Sequence, residues 1–129
     1  MHTVGPSITS PQDGDVFLVN VTNDTTITCT ASALPAPTIE FYYNGMILDR
    51  TNEEMGIGNE IPMRVQVGEP SSRTLIINGN YEVTRDLTLF TVRDETLMGF
   101  ECRARNNIVE LGNQMPSDNI TFEIRVQGN

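Results

Sequence analysis

Apolar and polar residues alternate with a period of two in short runs along most of the chain. Thr25-Thr26-Ile27-Thr28-Cys29-Thr30-Ala31 is one such run, and Thr38–Tyr43, Asp86–Leu89, Phe100–Arg105 and Ile120–Val126 repeat it. Period two sends successive side chains to opposite faces, so each run predicts a half-buried antiparallel strand. Fifteen Thr fit the same reading, because a β-branched side chain suits a pleated surface. Turn residues separate the runs. Asn44-Gly45 follows the Phe41 run directly and predicts a tight hairpin. Asn78-Gly79-Asn80 divides a strand over Arg73–Asn78 from the Leu87 run, and Pro35 and Pro37 punctuate the link from Cys29 to Phe41. Pro11, Asp13 and Gly14 break an N-terminal pair, Ser7–Ser10 and Val16–Asn20. No stretch carries the period of an amphipathic helix, and no internal repeat is visible. The elements predict an all-β sandwich or barrel.

The two cysteines lie on two of these runs, 73 positions apart, in phase with Ile27 and Ala31 and with Phe100 and Ala104. A disulfide pinning two sheets together is the simplest account, and two buried free thiols are the alternative. Closing so long a loop would stabilise by about 4 kcal/mol in the chain-entropy model. A disulfide would also imply an oxidising compartment.

Composition narrows the functions. The 129 residues suit one domain, read as a tail at 1–6, a domain at 7–127 and a tail at 128–129. All eight basic residues are Arg, against 17 Asp and Glu, for a net charge of −9. A nucleic-acid binder needs a basic patch, which this balance argues against. No apolar run approaches the roughly 20 residues that span a bilayer, so any membrane link would lie in other parts of a parent chain. Met1-His2-Thr3 leads straight into polar sequence with no secretory leader, as a segment cut from a longer chain would. The absence of Lys excludes Schiff-base chemistry. The single His, at position 2, argues against a His-based triad or His-rich metal site. The chain is therefore expected to be neither an enzyme nor a holder of cofactor or metal. Asp13-Gly14-Asp15 reads as a turn between edge strands, since calcium wants oxygens from several positions. Gly56-Ile57-Gly58 lacks the following helix that a phosphate cradle needs, and Glu53-Glu54 and Asp94-Glu95 read as solvated loop ends.

Longer motifs resemble the immunoglobulin superfamily over roughly Ser7 to Gln127. Cys29, then Pro35-Ala-Pro37, an aliphatic Ile39, Phe41 and Asn44-Gly45 look like the intermediate-set B–C region. Leu87-Thr-Leu89-x-x-Val92 and Phe100-x-Cys102-x-Ala104-x-Asn106 look like its E and F strands, and Asn119–Gln127 falls where strand G belongs. The resemblance implies an immunoglobulin-like antiparallel β-sandwich with one inter-sheet disulfide, Cys29–Cys102. Four positions depart from the pattern. Phe41 replaces the usual Trp, Phe100 replaces the Tyr of the tyrosine corner, and Thr96 and Met98 replace an Asp and a Gly. The family's Arg–Asp bridge then needs a substitute, for which Arg73 with Asp94 or Glu95 is expected. The 41 residues between Gly45 and Leu87 leave room for an extra middle strand near Ile61–Val67, as in variable-set domains. Thr51–Glu60 reads as a loop or short edge hairpin, and Asn106–Asp118 as a long loop.

Two surface features follow. Asn20-Val21-Thr22, Asn23-Asp24-Thr25 and Asn119-Ile120-Thr121 match the N-glycan acceptor pattern, although chance alone would give about two matches in this composition. With Phe41 and Cys102 inward, Glu40, Tyr42, Glu101, Arg103 and Arg105 point outward, with Glu123 and Arg125 beside them on strand G. A patch holding both signs can be self-complementary across a two-fold contact, and Tyr and Arg are enriched at binding hot spots. The alternative is a solvated face laced by cross-strand Glu–Arg pairs. Variable-like domains in this superfamily often pair through that sheet. The resemblance thus implies an extracellular recognition module of a cell-surface adhesion or self/non-self receptor, binding a protein partner or a second copy. A structural module of a muscle or cytoskeletal protein is the alternative, and would need reduced cysteines.

Overall fold

The alternating runs all become strands, and their inward sets meet between two sheets. The computed structural model describes residues 3–20, 24–57, 63–90, 95–106 and 116–127. In chain order these hold β1 (Val4–Ser10), β2 (Asp15–Asn20), β3 (Thr25–Leu34), β4 (Thr38–Tyr43), β5 (Met46–Leu48) and β6 (Glu54–Ile57). There follow β7 (Met63–Val67), β8 (Thr74–Leu75), β9 (Tyr81–Phe90), β10 (Glu95–Arg105) and β11 (Ser117–Gln127). One sheet runs β1-β3-β9-β7-β6, with β8 also on β9, and the other runs β2-β11-β10-β4-β5. The chain is an all-β sandwich, and the Cys29–Cys102 disulfide joins β3 of one sheet to β10 of the other.

The core is built from the residues that the alternation selects. Ile27, Cys29, Ala31, Ile39, Phe41, Leu87, Leu89, Phe100, Cys102, Ala104, Phe122 and Ile124 are all buried. Without Trp, aromatic bulk comes from stacked rings. Phe100 lies 5.4 Å from Phe122 and nearly parallel to it, Tyr43 tilts against Phe100 at 4.9 Å, and Phe17 meets Phe122 edge-on at 5.8 Å. Packing phenylalanines in this way leaves no indole N–H or phenol O–H to satisfy inside the core.

The Asn44-Gly45 hairpin forms as expected, with φ of 48° and 81° at its two residues. It also packs against Gly99, whose φ is 91°. A Cβ at Gly99 would fall 2.0 Å from the Asn44 side-chain oxygen, while the Asn44 N–H donates to the Gly99 carbonyl at 2.9 Å. The glycine of this corner is therefore Gly99, one residue beyond Met98.

Several boundaries and pairings differ from the sequence reading. Val4, Gly5 and Pro6 belong to β1, since Val4 pairs with Leu34, so the assigned tail is shorter. β1 and β2 are not partners: β1 pairs with β3, whereas β2 crosses to the other sheet and runs parallel to β11. Alternation cannot reveal this because Val16–Val19 is uniformly apolar. Asp13 and Gly14 make the crossing. Asp13 accepts the Thr121 N–H at 2.8 Å, and the Gly14 N–H donates to the Thr121 carbonyl at 2.8 Å. The extra strand β6 pairs with β7 rather than with β5, so it widens the opposite sheet from the one that variable-set strands widen. The Arg73–Asn78 strand shrinks to β8, and 76–79 form a turn. Arg73 lies over the Tyr81 ring at 4.8 Å, at the start of β9. The expected partners of Arg73, Asp94 and the Glu95 side chain, lie outside what the structure describes. Asp94, Val92, Asn23, most of the Asn106–Asp118 loop and residues 58–62 lie outside the described residues.

Candidate interaction face

The outer surface of the β2-β11-β10-β4-β5 sheet gathers the charged residues singled out from the sequence. Strand register places Arg103 between Glu40 and Asn119, and Glu101 between Tyr42 and Thr121. Glu40, Tyr42, Glu101, Arg103, Arg105 and Glu123 are half-buried, and Arg125 is exposed. Each arginine has a carboxylate. Arg103 donates from Nε and Nη2 to Glu101 Oε2 at 3.1 and 3.0 Å, and its guanidinium sits 4.2 Å from the Tyr42 ring centre. Arg105 pairs with Glu40, which also accepts the Tyr42 hydroxyl at 3.5 Å. Arg125 pairs with Glu123. Two of the three pairs are therefore two residues apart on one strand, rather than across strands as expected. The hydrogen bonds that Arg103 donates to Glu101 are the chief reason that its pKa rises, with burial opposing them and the Glu101, Tyr42 and Glu40 charges assisting.

Partly exposed pairs of this kind contribute only about 0–1 kcal/mol each to folding. Their consequence is local neutrality: three arginines offset three glutamates in a chain of net charge −9. Apolar residues border the neutral centre. Val16 and Leu18 project from β2 beside Glu123 and Arg125, at 44% and 64% exposure, and Ile47 projects from β5 beside Tyr42 at 38%.

These apolar edges were missed in the sequence. Val16 and Leu18 sit in an unbroken apolar run, where period two gives no inward or outward set. Arg85 was also missed, although its spacing from Val83, Leu87 and Leu89 marks it as inward-facing. Its guanidinium donates to the Gly68 carbonyl at 2.8 Å, the Ile39 carbonyl at 2.9 Å and Thr51 Oγ1 at 2.8 Å. Burial lowers its pKa and the charge of Glu40 works against that. Arg85 thus links β9 across the sandwich to β4, beneath the strand that carries Glu40 and Tyr42. Asn106 does similar work at the end of β10. Its buried amide donates to the carbonyls of Val4 and Pro35, both at 3.0 Å.

Two glycan acceptor positions lie on the same outer face. Asn119 is exposed and pairs with Arg103, while Asn20 is exposed at the end of β2, opposite Gln127. No cluster of three or more His, Cys, Asp or Glu able to hold a metal ion occurs among the described residues. No helix among them is long and apolar enough to cross a membrane.

No family model matches the chain, and no curated protein does either. Solved structures do match. The titin domains z1z2 in complex with telethonin align with a TM-score of 0.57 at 14% identity, over 99% of this chain and 49% of that one. The fold is that of an immunoglobulin domain. The N-terminal Ig1-2 module of the Drosophila receptor protein tyrosine phosphatase DLAR aligns at 0.56 and 18% identity, over 96% of this chain and 50% of that one. Dpr2 Ig1-Ig2 in complex with DIP-Theta aligns at 0.58 and 15%, over 98% of this chain and 33% of that one. The chain therefore spans about half, or one third, of these longer chains. Its structural neighbours include both a receptor and titin.

Proposed function

We propose that this immunoglobulin domain is an extracellular recognition module of a cell-surface adhesion or recognition receptor. It binds protein, and a second copy of itself in particular, through the outer face of the β2-β11-β10-β4-β5 sheet. The observation that carries this reading is the charge-compensated centre of that face, bordered by exposed apolar residues, in a molecule that is otherwise strongly acidic. Two such molecules repel each other over most of their surfaces. At this face a two-fold contact can bring each Glu–Arg pair beside its copy and bury Leu18, Val16 and Ile47. The disulfide supports an oxidising compartment. The complexes of Dpr2 with DIP-Theta and of titin z1z2 with telethonin support protein binding as a use of the fold.

The test is sedimentation of the unglycosylated, oxidised domain at rising concentration, with beads coated in the domain as a second readout. Concentration-dependent dimerisation that Leu18→Asp abolishes is the expected result. A domain that stays monomeric and leaves beads dispersed would refute self-recognition. The likeness to titin favours a second reading, a structural module in a tandem array. Intact mass separates the two: protein isolated from its native source gains hydrogen on reduction under the first reading and none under the second.

A further inference from the structure

We propose that Asn119 is an N-glycan acceptor and that its glycan decides whether a second copy can dock on this face. The inference rests on the self-recognition reading above and adds its regulation. Sequence alone makes Asn119 one of three pattern matches; its position in the sheet singles it out. Asn119 is exposed on the outer side of β11, directly across from Arg103, while Ile120 between the sequon's ends is buried. Neighbouring strands lie about 4.8 Å apart, so a sugar on Asn119 stands within about 10 Å of Arg103 and Glu40 on the two adjoining strands. It would cover the Arg103–Glu101–Tyr42 cluster that a second copy must meet.

The chemistry needs a lipid-diphosphate-linked oligosaccharide as donor. The Asn119 side-chain nitrogen forms a bond to the anomeric carbon, the bond from that carbon to the phosphate oxygen breaks, the amide gives up one proton, and the lipid diphosphate leaves. In the folded domain the sequon is closed to this reaction. The Thr121 N–H and hydroxyl are both held by Asp13, at 2.8 and 3.2 Å, and Ile120 is in the core. Transfer therefore belongs to the nascent chain, before β11 docks, and the state of the face is set at synthesis.

Asn20 provides an internal comparison. It stands on the same face about eight residues further along β11, or about 26 Å away, beyond Leu18 and Arg125. A glycan there leaves the Arg103 cluster open.

The experiment is expression of the 129-residue chain through a eukaryotic secretory pathway, with mass analysis of the Asn119 peptide and sedimentation at rising concentration. The wild type is expected to carry glycan at Asn119 and remain monomeric. In an Asn20→Gln background, which removes the glycan two residues from Leu18, Asn119→Gln and Thr121→Ala, which remove the acceptor by different routes, are expected to self-associate at least about tenfold more strongly than the wild type, a difference of about 1.4 kcal/mol. Asn20→Gln is expected to remain monomeric, like the wild type. An unmodified Asn119, or equal association of wild type and Asn119→Gln in the Asn20→Gln background, overturns the inference and leaves self-recognition standing. If unglycosylated protein also stays monomeric, self-recognition and this inference fall together.

Discussion

On the outer face of the β1-β3-β9-β7-β6 sheet, neutral hydroxyls line the two central strands. Thr26 meets Thr88 at 3.1 Å, and Thr28 donates to Asp86 at 2.7 Å. On the outer face of the opposite sheet, the central strands carry Arg103 against Glu101 and Tyr42, and Arg105 against Glu40. The inward sides of both sheets are apolar and share one disulfide. What separates the faces is therefore not folding energetics, since threonine ladders and exposed ion pairs each contribute little. The threonine row leaves that face with one described Arg–Glu pair, Arg64 with Glu54 at its edge, against three on the opposite sheet. A row of compensated charges with apolar borders offers a contact that can exchange its pairing partners. The difference is what the proposed recognition face rests on: three compensated pairs with apolar borders on one sheet and mainly hydroxyls on the other.

The largest perturbation should erase the distinction by loosening both sheets together. Replacing Cys29 and Cys102 by Ala is expected to cost about 4 kcal/mol of stability, from the entropy of the released 73-residue separation. Urea unfolding followed by fluorescence of the three Tyr measures it. A loss under about 1 kcal/mol would show that the sheets hold together without their link.

Arg85 sharpens the comparison, because from β9 of one sheet it holds a carbonyl of β4 in the other. Arg85→Met should destabilise by about 1–3 kcal/mol, as three hydrogen bonds from a charged donor are lost and the Ile39 and Gly68 carbonyls lose their partner. Amide hydrogen exchange should rise more in β4 than in β3. Equal loosening of both strands would refute a specific link from Arg85 to β4.

The third prediction concerns binding alone. In the unglycosylated domain, Arg103→Glu should weaken self-association by about tenfold or more, with an unfolding change under about 1 kcal/mol. Sedimentation and urea titration on the same sample separate the two effects. The smallest effect belongs to the other face. Thr28→Ala should cost about 0.5–1 kcal/mol through the lost hydrogen bond to Asp86 and leave association unchanged. If Thr28→Ala impaired association as much as Arg103→Glu, the division into two faces would fail.

Much of this was legible in the sequence, for a physical reason. Where one face of a strand is buried and the other wet, alternation records the phase, so Cys29, Phe41, Phe100 and Cys102 fell inward as expected and Glu40, Tyr42, Arg103 and Arg125 outward. The Asn44-Gly45 turn was legible because left-handed backbone demands those residues. Partner choice between strands was not legible. The parallel seat of β2 on β11, the pairing of β6 with β7, and the start of β1 at Val4 depend on the crossing at Asp13-Gly14 and on long-range register. Those contacts leave no local period. The i to i+2 Glu–Arg pairs went unread because they run along a strand rather than across it.

The crossing of β2 has a mechanical consequence. β2 and β11 run parallel over six paired positions, Asp15 with Phe122 through Asn20 with Gln127. A pull towards the chain start on β2 and towards the chain end on β11 drives the two strands past each other lengthwise. The hydrogen bonds between them then bear the load side by side and must give way together, whereas an antiparallel hairpin pulled from its open ends unzips one bond at a time. A domain pulled from its two ends would resist tension along this seam until it yields as a unit.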